Sequence, residues 1–409
     1  MEDIKMSVSQ EIKDKVLDNI REEDLIALSQ KLIAIPSETG NEKAVSDFMV
    51  NYMREELGME AEGIAGVPDR PNAVGTLKGV GGGPTVQYSG HLDTVGPGDL
   101  SKWKTDPYGG EVIDGKIYGR GAMDSKGGGM ASTLTAIKAI QDAGVKLKGD
   151  ILVVGTVDEE VGGKWGMGYL YSNNLVNPDI CIYCVHSDME IKAFFKGTLW
   201  TKWTVKGQTA HGSMPQRGVN AIVRACRLID ELERNGGVSF DPHPILGDHT
   251  VNFGWIDGGP EKRYNVVADE CQFGVDMRLV IGQSTEQAIN EMNDLIARQK
   301  AKDPDLEVSF EVLQPNEPAF VSEDEPVFQI LINAAEQVMG EKPVIGGTIA
   351  AGDLAPIFAA GKVGVGYGPG DLERGNAHKE NEFLEVDQLV NATKVYALTM
   401  LDTCGVAEE

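Results

Sequence analysis

Four stretches of this chain set histidines and carboxylates directly after runs that read as strand ends. Gly90-His91-Leu92-Asp93-Thr94-Val95 follows an apolar run at 85–88, placing His91 and Asp93 where ligands gather in open α/β folds. Residues two apart share one side of an extended chain. The Asp93 carboxylate can therefore accept the imidazole N–H and leave the other nitrogen of His91 for a metal. A surface turn or a capped helix start is the plainer reading of an isolated H-x-D. In Tyr118-Gly119-Arg120-Gly121-Ala122-Met123-Asp124-Ser125-Lys126-Gly127-Gly128, Asp124 stands between glycine-rich turns ahead of a long helix. It can cap that helix, bridge two cations, or do both, and the glycines allow close backbone approach. Val157-Asp158-Glu159-Glu160-Val161 follows an apolar strand at 151–156. Three adjacent acids repel one another unless a counter-charge such as a metal pair, or solvent around an acidic turn, relieves them. Alternating side-chain direction makes Glu160 the ligand and turns Glu159 toward the water between the ions, as general base. His378, in Asn376-Ala377-His378-Lys379-Glu380-Asn381-Glu382, sits in a polar loop after another strand, with acids near enough to orient it. Together these loops offer hard oxygens and imidazoles, a donor set for two divalent ions, zinc first and cobalt or manganese as alternatives.

The elements around them read as an α/β protein. Helical periodicity covers 22–34 and ends at Ile35-Pro36, since proline disfavours helix in the residue before it. A helix at 42–56 follows, then strands at 72–77 and 85–89, a long helix at 127–143, and strands at 150–156 and 180–185. This alternation predicts a mixed, mostly parallel sheet with helices on both faces. From 197 the order changes to strand 199–205, helix 220–235, strands 250–256 and 270–279, helix 285–300 and strand 306–313. That predicts an inserted α+β domain: a four-stranded antiparallel sheet with two helices on one face. Helix 327–339, helix 354–360, strand 362–366 and helix 386–401 then return to the first domain. The expected domains are 1–195 with 315–409, and 196–314 inserted between them.

Composition excludes other function classes. With 37 basic against 63 acidic residues, the formal charge of −26 repels nucleic acid and anionic membranes. No run approaches the roughly 18 apolar residues of a membrane span, and the acidic, amphipathic stretch 1–21 lacks an apolar leader core, which reads as cytoplasmic. Cys181, Cys184, Cys226, Cys271 and Cys404 are odd in number and scattered, as expected of reduced thiols. Cys181 and Cys184 form a C-x-x-C inside an apolar strand, which would point them to opposite faces rather than at one metal.

The ordered set G-H-x-D, G-R-G-x-x-D-x-K-G-G, D-E-E-x-G and a late A-H resembles the zinc amidohydrolases that include acetylornithine deacetylase, succinyl-diaminopimelate desuccinylase, carboxypeptidase G and the aminoacylases, over about 25–401. The resemblance implies that Asp124 bridges the metals, with Glu160 and His378 on one and His91 on the other. The remaining ligand is usually a glutamate in an E-P-T turn. Here the segment reads Cys184-Val185-His186-Ser187-Asp188-Met189-Glu190, leaving His186 and Asp188 both open. It also implies a dimerising lid, with His211 supporting the oxyanion at a neighbouring subunit's site and Asn265 and Arg278 contacting a substrate carboxylate. The chain departs at Gly346-Gly347-Thr348-Ile349-Ala350-Ala351-Gly352-Asp353, where relatives often carry G-G-T-S-D. The expected activity is hydrolysis of N-acyl amino acids or dipeptides. The alternatives are another small C–N bond, carbamoyl or aromatic amine, and a catalytically silent metal-binding scaffold.

Overall fold

The computed structural model describes residues 8–235, 242–259, 263–349 and 352–407. The first seven residues of the expected N-terminal stretch, Ala350 and Ala351 of the departing loop, and the last two residues lie outside the described residues. The chain forms two compact units, one reaching to Ala193 and resuming at Val321–Gly346 and from Gly352 on, the other Phe194–Phe320 with a short stretch beginning at Gly347. The expected boundaries at 195/196 and 314/315 thus stand beside observed ones at 193/194 and 320/321.

In the first unit a mixed sheet runs in the order Glu60–Ala65, Pro71–Leu77, Ile151–Thr156, Val86–His91, Ile180–Tyr183, Val363–Gly366, Ile191–Phe195. Its centre is parallel: Val86–His91 pairs in parallel with Ile151–Thr156 and with Ile180–Tyr183, which pairs in parallel with Val363–Gly366. Antiparallel strands flank it on both sides. Ile151–Thr156 and Val86–His91 are buried along their whole lengths, as parallel strands covered on both faces must be. The helices Ala131–Asp142, Pro326–Met339 and Val386–Cys404 pack together and supply much of that cover.

Register decides where the loops emerge. His91 lies opposite Thr156, Ser89 opposite Tyr183, and Tyr183 opposite Gly366. Because these strands are parallel, the loops after His91, Thr156, Tyr183 and Gly366 all leave from the same, carboxyl edge of the sheet.

The second unit has the predicted four-stranded antiparallel sheet, ordered Thr250–Gly258, Glu270–Leu279, Gly197–Lys206, Glu307–Asn316. Leu199, Trp203 and Val205 alternate inward and meet Ala225, Leu228 and Leu232 of helix Ala221–Asn235 and Met292 and Leu295 of helix Thr285–Lys302. Trp203 is fully buried, stacked between Phe273 and Phe310 with ring centroids 5.6 and 4.9 Å away.

Several elements went unforeseen. They are helix Gln10–Leu17, strand Glu60–Ala65, helix Met167–Ser172, strand Ile191–Phe195, and a small sheet of Phe383–Glu385, Lys116–Tyr118 and Glu111–Ile113. The long helix expected from 127 begins as a π-helical turn, Lys126–Met130, before Ala131–Asp142. Among the described residues no helix is long and apolar enough to cross a membrane. All five cysteines are free thiols. Cys184 lies just beyond strand Ile180–Tyr183, and its thiol contacts Thr133 while that of Cys181 contacts Tyr171.

Replacing Trp203 with alanine removes the largest buried side chain of the second unit, and is expected to cost about 3–5 kcal/mol. Urea unfolding of the metal-free chain reads this; a loss below about 1 kcal/mol would show that the inserted unit does not depend on this stack.

Candidate metal centre

Asp124 is the point on which the site converges. It is nearly fully buried, and three imidazoles face its carboxylate. His91 Nε2 lies 2.7 Å and His186 Nδ1 3.2 Å from Oδ1, while His378 Nε2 lies 3.2 Å from Oδ2. His378 Nε2 is also 3.1 Å from Glu160 Oε2. Asp124, Glu160 and His378 offer ligand atoms within 4.8 Å of one another. The carboxylate thus has His91 and His186 beside one oxygen, and His378, which also meets Glu160, beside the other.

Asp188, the other candidate beside His186, is committed elsewhere. Its Oδ1 accepts from Gln388 Nε2 at 2.7 Å and pairs with Arg374, and its backbone N–H donates to Gly370 O. His186 Nδ1 is buried and, despite its approach to Asp124, lacks the alignment of a hydrogen bond. An orphaned imidazole nitrogen among carboxylates is what a cation would satisfy, so the donors gathered on Asp124 fit divalent-metal binding.

Asp93 acts differently from the expectation. His91 Nδ1 contacts the backbone carbonyl of Asp93 at 2.9 Å, while the Asp93 carboxylate stands 3.8 Å away. The strand ends at His91, so the rule that residues two apart share a side no longer applies at 93. A carbonyl partner still fixes the ring with Nε2 free for metal. The Asp93 carboxylate instead accepts the backbone N–H groups of Glu159 and Glu160 at 3.1 and 3.2 Å and the Thr39 hydroxyl at 2.8 Å. Asp93 thus holds the acidic turn in place. Asp158 points away from the cluster, its carboxylate receiving Arg70 Nη2 at 2.8 Å and the Trp165 N–H at 3.1 Å.

Glu159 was expected to face the reaction, and two features beside it were not anticipated. Its Oε1 is 3.5 Å from the Tyr183 hydroxyl, and a Cβ on Gly352, whose φ is +49°, would stand only 2.8 Å from that oxygen. Asp353, also buried, accepts the Thr156 hydroxyl. Thr156 ends the strand before the acidic turn, but only the fold reveals that residue 353 returns to it. Burial pushes Glu159 up to about 8; His91 opposes this, while Asp353, Asp124 and Glu160 add to it. Burial likewise raises Asp353 to about 7 against the hydrogen bond from Thr156.

The histidines are shifted too. For His91 burial favours the neutral ring, but Asp124 outweighs it and the pKa is raised well above the ordinary value. Hydrogen bonds to Asp124 and Glu160 raise His378 to about 10. For Asp124 burial opposes ionisation, and His186 and His91 overcome it, holding the carboxyl well below its usual range.

In the second unit, Ser213 donates its N–H to His211 Nδ1 at 3.2 Å. The Ser213 hydroxyl stands 2.8 Å from the same nitrogen. Gly212 N–H donates to Asn265 O at 2.8 Å, bringing that turn beside His211. Arg278 is paired with Asp276, with Nε 2.9 Å from Oδ1, and donates from Nη1 to Thr198 Oγ1 at 3.1 Å.

Residues 88–402 match the profile of Peptidase family M20/M25/M40. The chain belongs to this family. Similar curated proteins include the uncharacterized protein YgeY of Escherichia coli K12, 32% identical over 91% of this chain and 93% of its own length. Another is the N-formyl-4-amino-5-aminomethyl-2-methylpyrimidine deformylase of Bacillus subtilis, 28% identical over 95% and 96%. In fold the chain is similar to aminopeptidase PepT of Bacillus cereus, with a TM-score of 0.76 at 23% identity, covering 95% of this chain and 100% of that one. The chain is thus a hydrolytic enzyme of a metallohydrolase family, which implies divalent-metal binding and sets aside the silent-scaffold reading.

A raised histidine pKa means stability that is fully present below about 6.5 and lost as pH rises through the folded value, about 10 for His378. Above pH 7 the metal-free chain therefore still holds protons on its ligands, and a divalent ion must displace them. Titration of zinc into metal-free chain at pH 8, in buffers of differing ionisation enthalpy, is expected to release at least about one proton per chain. Proton-neutral binding would contradict these ligand states.

Proposed function

We propose that the chain is a two-metal hydrolase that cleaves the amide bond of N-acyl amino acids or dipeptides. The observation that carries this reading is the division of Asp124, with His91 and His186 beside Oδ1 and His378 and Glu160 beside Oδ2. One ion would be held by His91, His186 and Asp124, the other by Glu160, His378 and Asp124. Zinc suits these donors, and cobalt or manganese would also be accepted. Bound there, the ions supply Lewis acidity toward a water and an amide carbonyl.

The chain's own residues do the rest. Glu159 takes a proton from the attacking water as its oxygen bonds to the carbonyl carbon, and delivers that proton to the nitrogen as the C–N bond breaks. Tyr183 and Gly352 confine Oε1 while it does so. The His211 imidazole supports the oxyanion at a neighbouring subunit's site, and Arg278 with Asn265 receives a substrate carboxylate. The small-molecule substrate thus carries a free carboxylate. We place the enzyme in the cytoplasm, on its reduced cysteines. We assign it a homodimer through the inserted unit, where edge strand Thr250–Gly258 exposes Trp255 and Ile256 and the adjoining helix exposes Ile222 and Val223.

A second reading has a specific support. The deformylase of Bacillus subtilis is named for removing a formyl group from an aminomethylpyrimidine, and Gly346–Asp353 departs from the amino-acid deacylase pattern. Another small C–N bond is then the target.

Glu159→Gln is expected to retain metal at parent stoichiometry while turnover falls about 10²–10⁴-fold; near-parent turnover would remove Glu159 from the base role. A substrate panel with Arg278→Ala separates the two readings. N-acyl amino acids as the best substrates, with KM raised about tenfold or more by loss of a charged hydrogen bond, support the carboxylate reading. N-formyl or carbamoyl amines as the best substrates, with KM indifferent to Arg278, support the second.

A further inference from the structure

Arg120 belongs to the same glycine-rich motif as Asp124 and Lys126. It is 1% exposed and Glu382 fully buried. Arg120 Nη1 donates to Glu382 Oε2 at 2.6 Å. The other oxygen of Glu382, Oε1, accepts the backbone N–H groups of Met123 at 3.0 Å and Asp124 at 3.2 Å. Arg120 Nη2 reaches the carbonyl of Lys379 at 3.0 Å, the residue directly after His378. The Trp103 ring faces the guanidinium, 5.7 Å from its carbon.

These contacts join two loops far apart in sequence. One guanidinium and one carboxylate connect the backbone that presents Asp124 to the backbone that presents His378, the two ligands whose atoms stand 3.2 Å apart. His378 takes φ +61°, a conformation that non-glycine residues hold only when their surroundings impose it. The Lys379 carbonyl is one point at which that loop is held. A buried ion pair is weak evidence of a stabilising role, because desolvation offsets much of its attraction. A positioning role accounts better for charges sealed beneath a ligand.

We propose that Arg120 and Glu382 are positioning residues that set the separation of Asp124 from His378, and thereby the affinity of the half-site formed by Asp124, Glu160 and His378 for a divalent ion. The inference rests on the metal reading given above. Lysine at 120 keeps the charge but loses the planar fork that spans Glu382 and Lys379 O. Glutamine at 382 keeps an acceptor for the two N–H groups but loses the pairing.

The test uses the full chain, stripped of metal and titrated with Co²⁺ alone, reading stoichiometry, affinity and the visible absorption bands of the bound ion. Unfolding midpoints are measured alongside. Arg120→Lys and Glu382→Gln are each expected to weaken one of the two equivalents of Co²⁺ about 10–100-fold and shift its absorption bands, leaving the other at parent affinity, as loss of supporting partners does at metal sites. Where a single variant leaves an unpaired buried charge and does not fold, the neutral pair Arg120→Gln with Glu382→Gln decides, with the same expected loss. Folded variants that bind both equivalents with parent affinity and spectrum would overturn the positioning role and leave only a structural ion pair. A parent chain that takes up no Co²⁺ would instead overturn the metal reading itself, and this inference with it.

Discussion

The Asp124 carboxylate and the charges gathered on it are what the remainder of the catalytic unit must accommodate. Three imidazoles, Glu160, Glu159 and the buried Asp353 crowd one corner of the sheet. Carboxylates so placed cannot all ionise unless positive charge is shared among them. In the chain alone protons supply it, which is why His91 and His378 are raised and Asp124 is lowered, while burial pushes Glu159 up to about 8. Divalent ions would replace those protons and leave Glu159 ionised, the state a base requires.

Keeping such a cluster assembled demands rigid supports from several elements. Parallel register brings the loops to one edge, as the pairing of His91 with Thr156 and of Tyr183 with Gly366 demonstrates. Ser125 Oγ then bonds both the N–H and the carbonyl of His91 at 3.1 Å, tying the first loop to the second. Lys126, buried, donates to Ile35 O and Ser37 Oγ and so holds the turn that carries Thr39 to Asp93. Burial brings its amine down to about 7. Asp158, Asp188 and His378 all take positive φ, at a cost of order 1–3 kcal/mol each, and each is fixed by partners on another loop.

Much of this was legible in the residues because ligand loops follow apolar runs whose ends are easily seen. His91, Asp124, Glu160 and His378 were each read from a local motif, and the fold brings them together. The four-stranded insert was equally legible, since its strands alternate cleanly and its helices have a clear apolar face. What escaped depends on contacts between distant segments. Asp93 follows strict alternation on paper, yet the strand stops at His91 and its carboxylate turns to the acidic turn. That His186 approaches Asp124 while Arg374 and Gln388 reach Asp188 from the C-terminal region could not be read from the local sequence. The acids after His378 read as groups able to orient it, whereas Glu382 among them receives the Met123 and Asp124 backbone N–H groups. Asp353 and Tyr183 carry no local signal at all, because their role exists only where the strands at 151–156 and 180–183 lie beside the loop at 352–353.

Anomalous diffraction at the zinc edge from metal-loaded crystals tests the central claim most directly. Two peaks are expected, one beside each oxygen of Asp124, the first shared with His91 and His186 and the second with Glu160 and His378. A zinc-loaded crystal with no peak at Asp124, or with zinc held by Asp188 in place of His186, would contradict it.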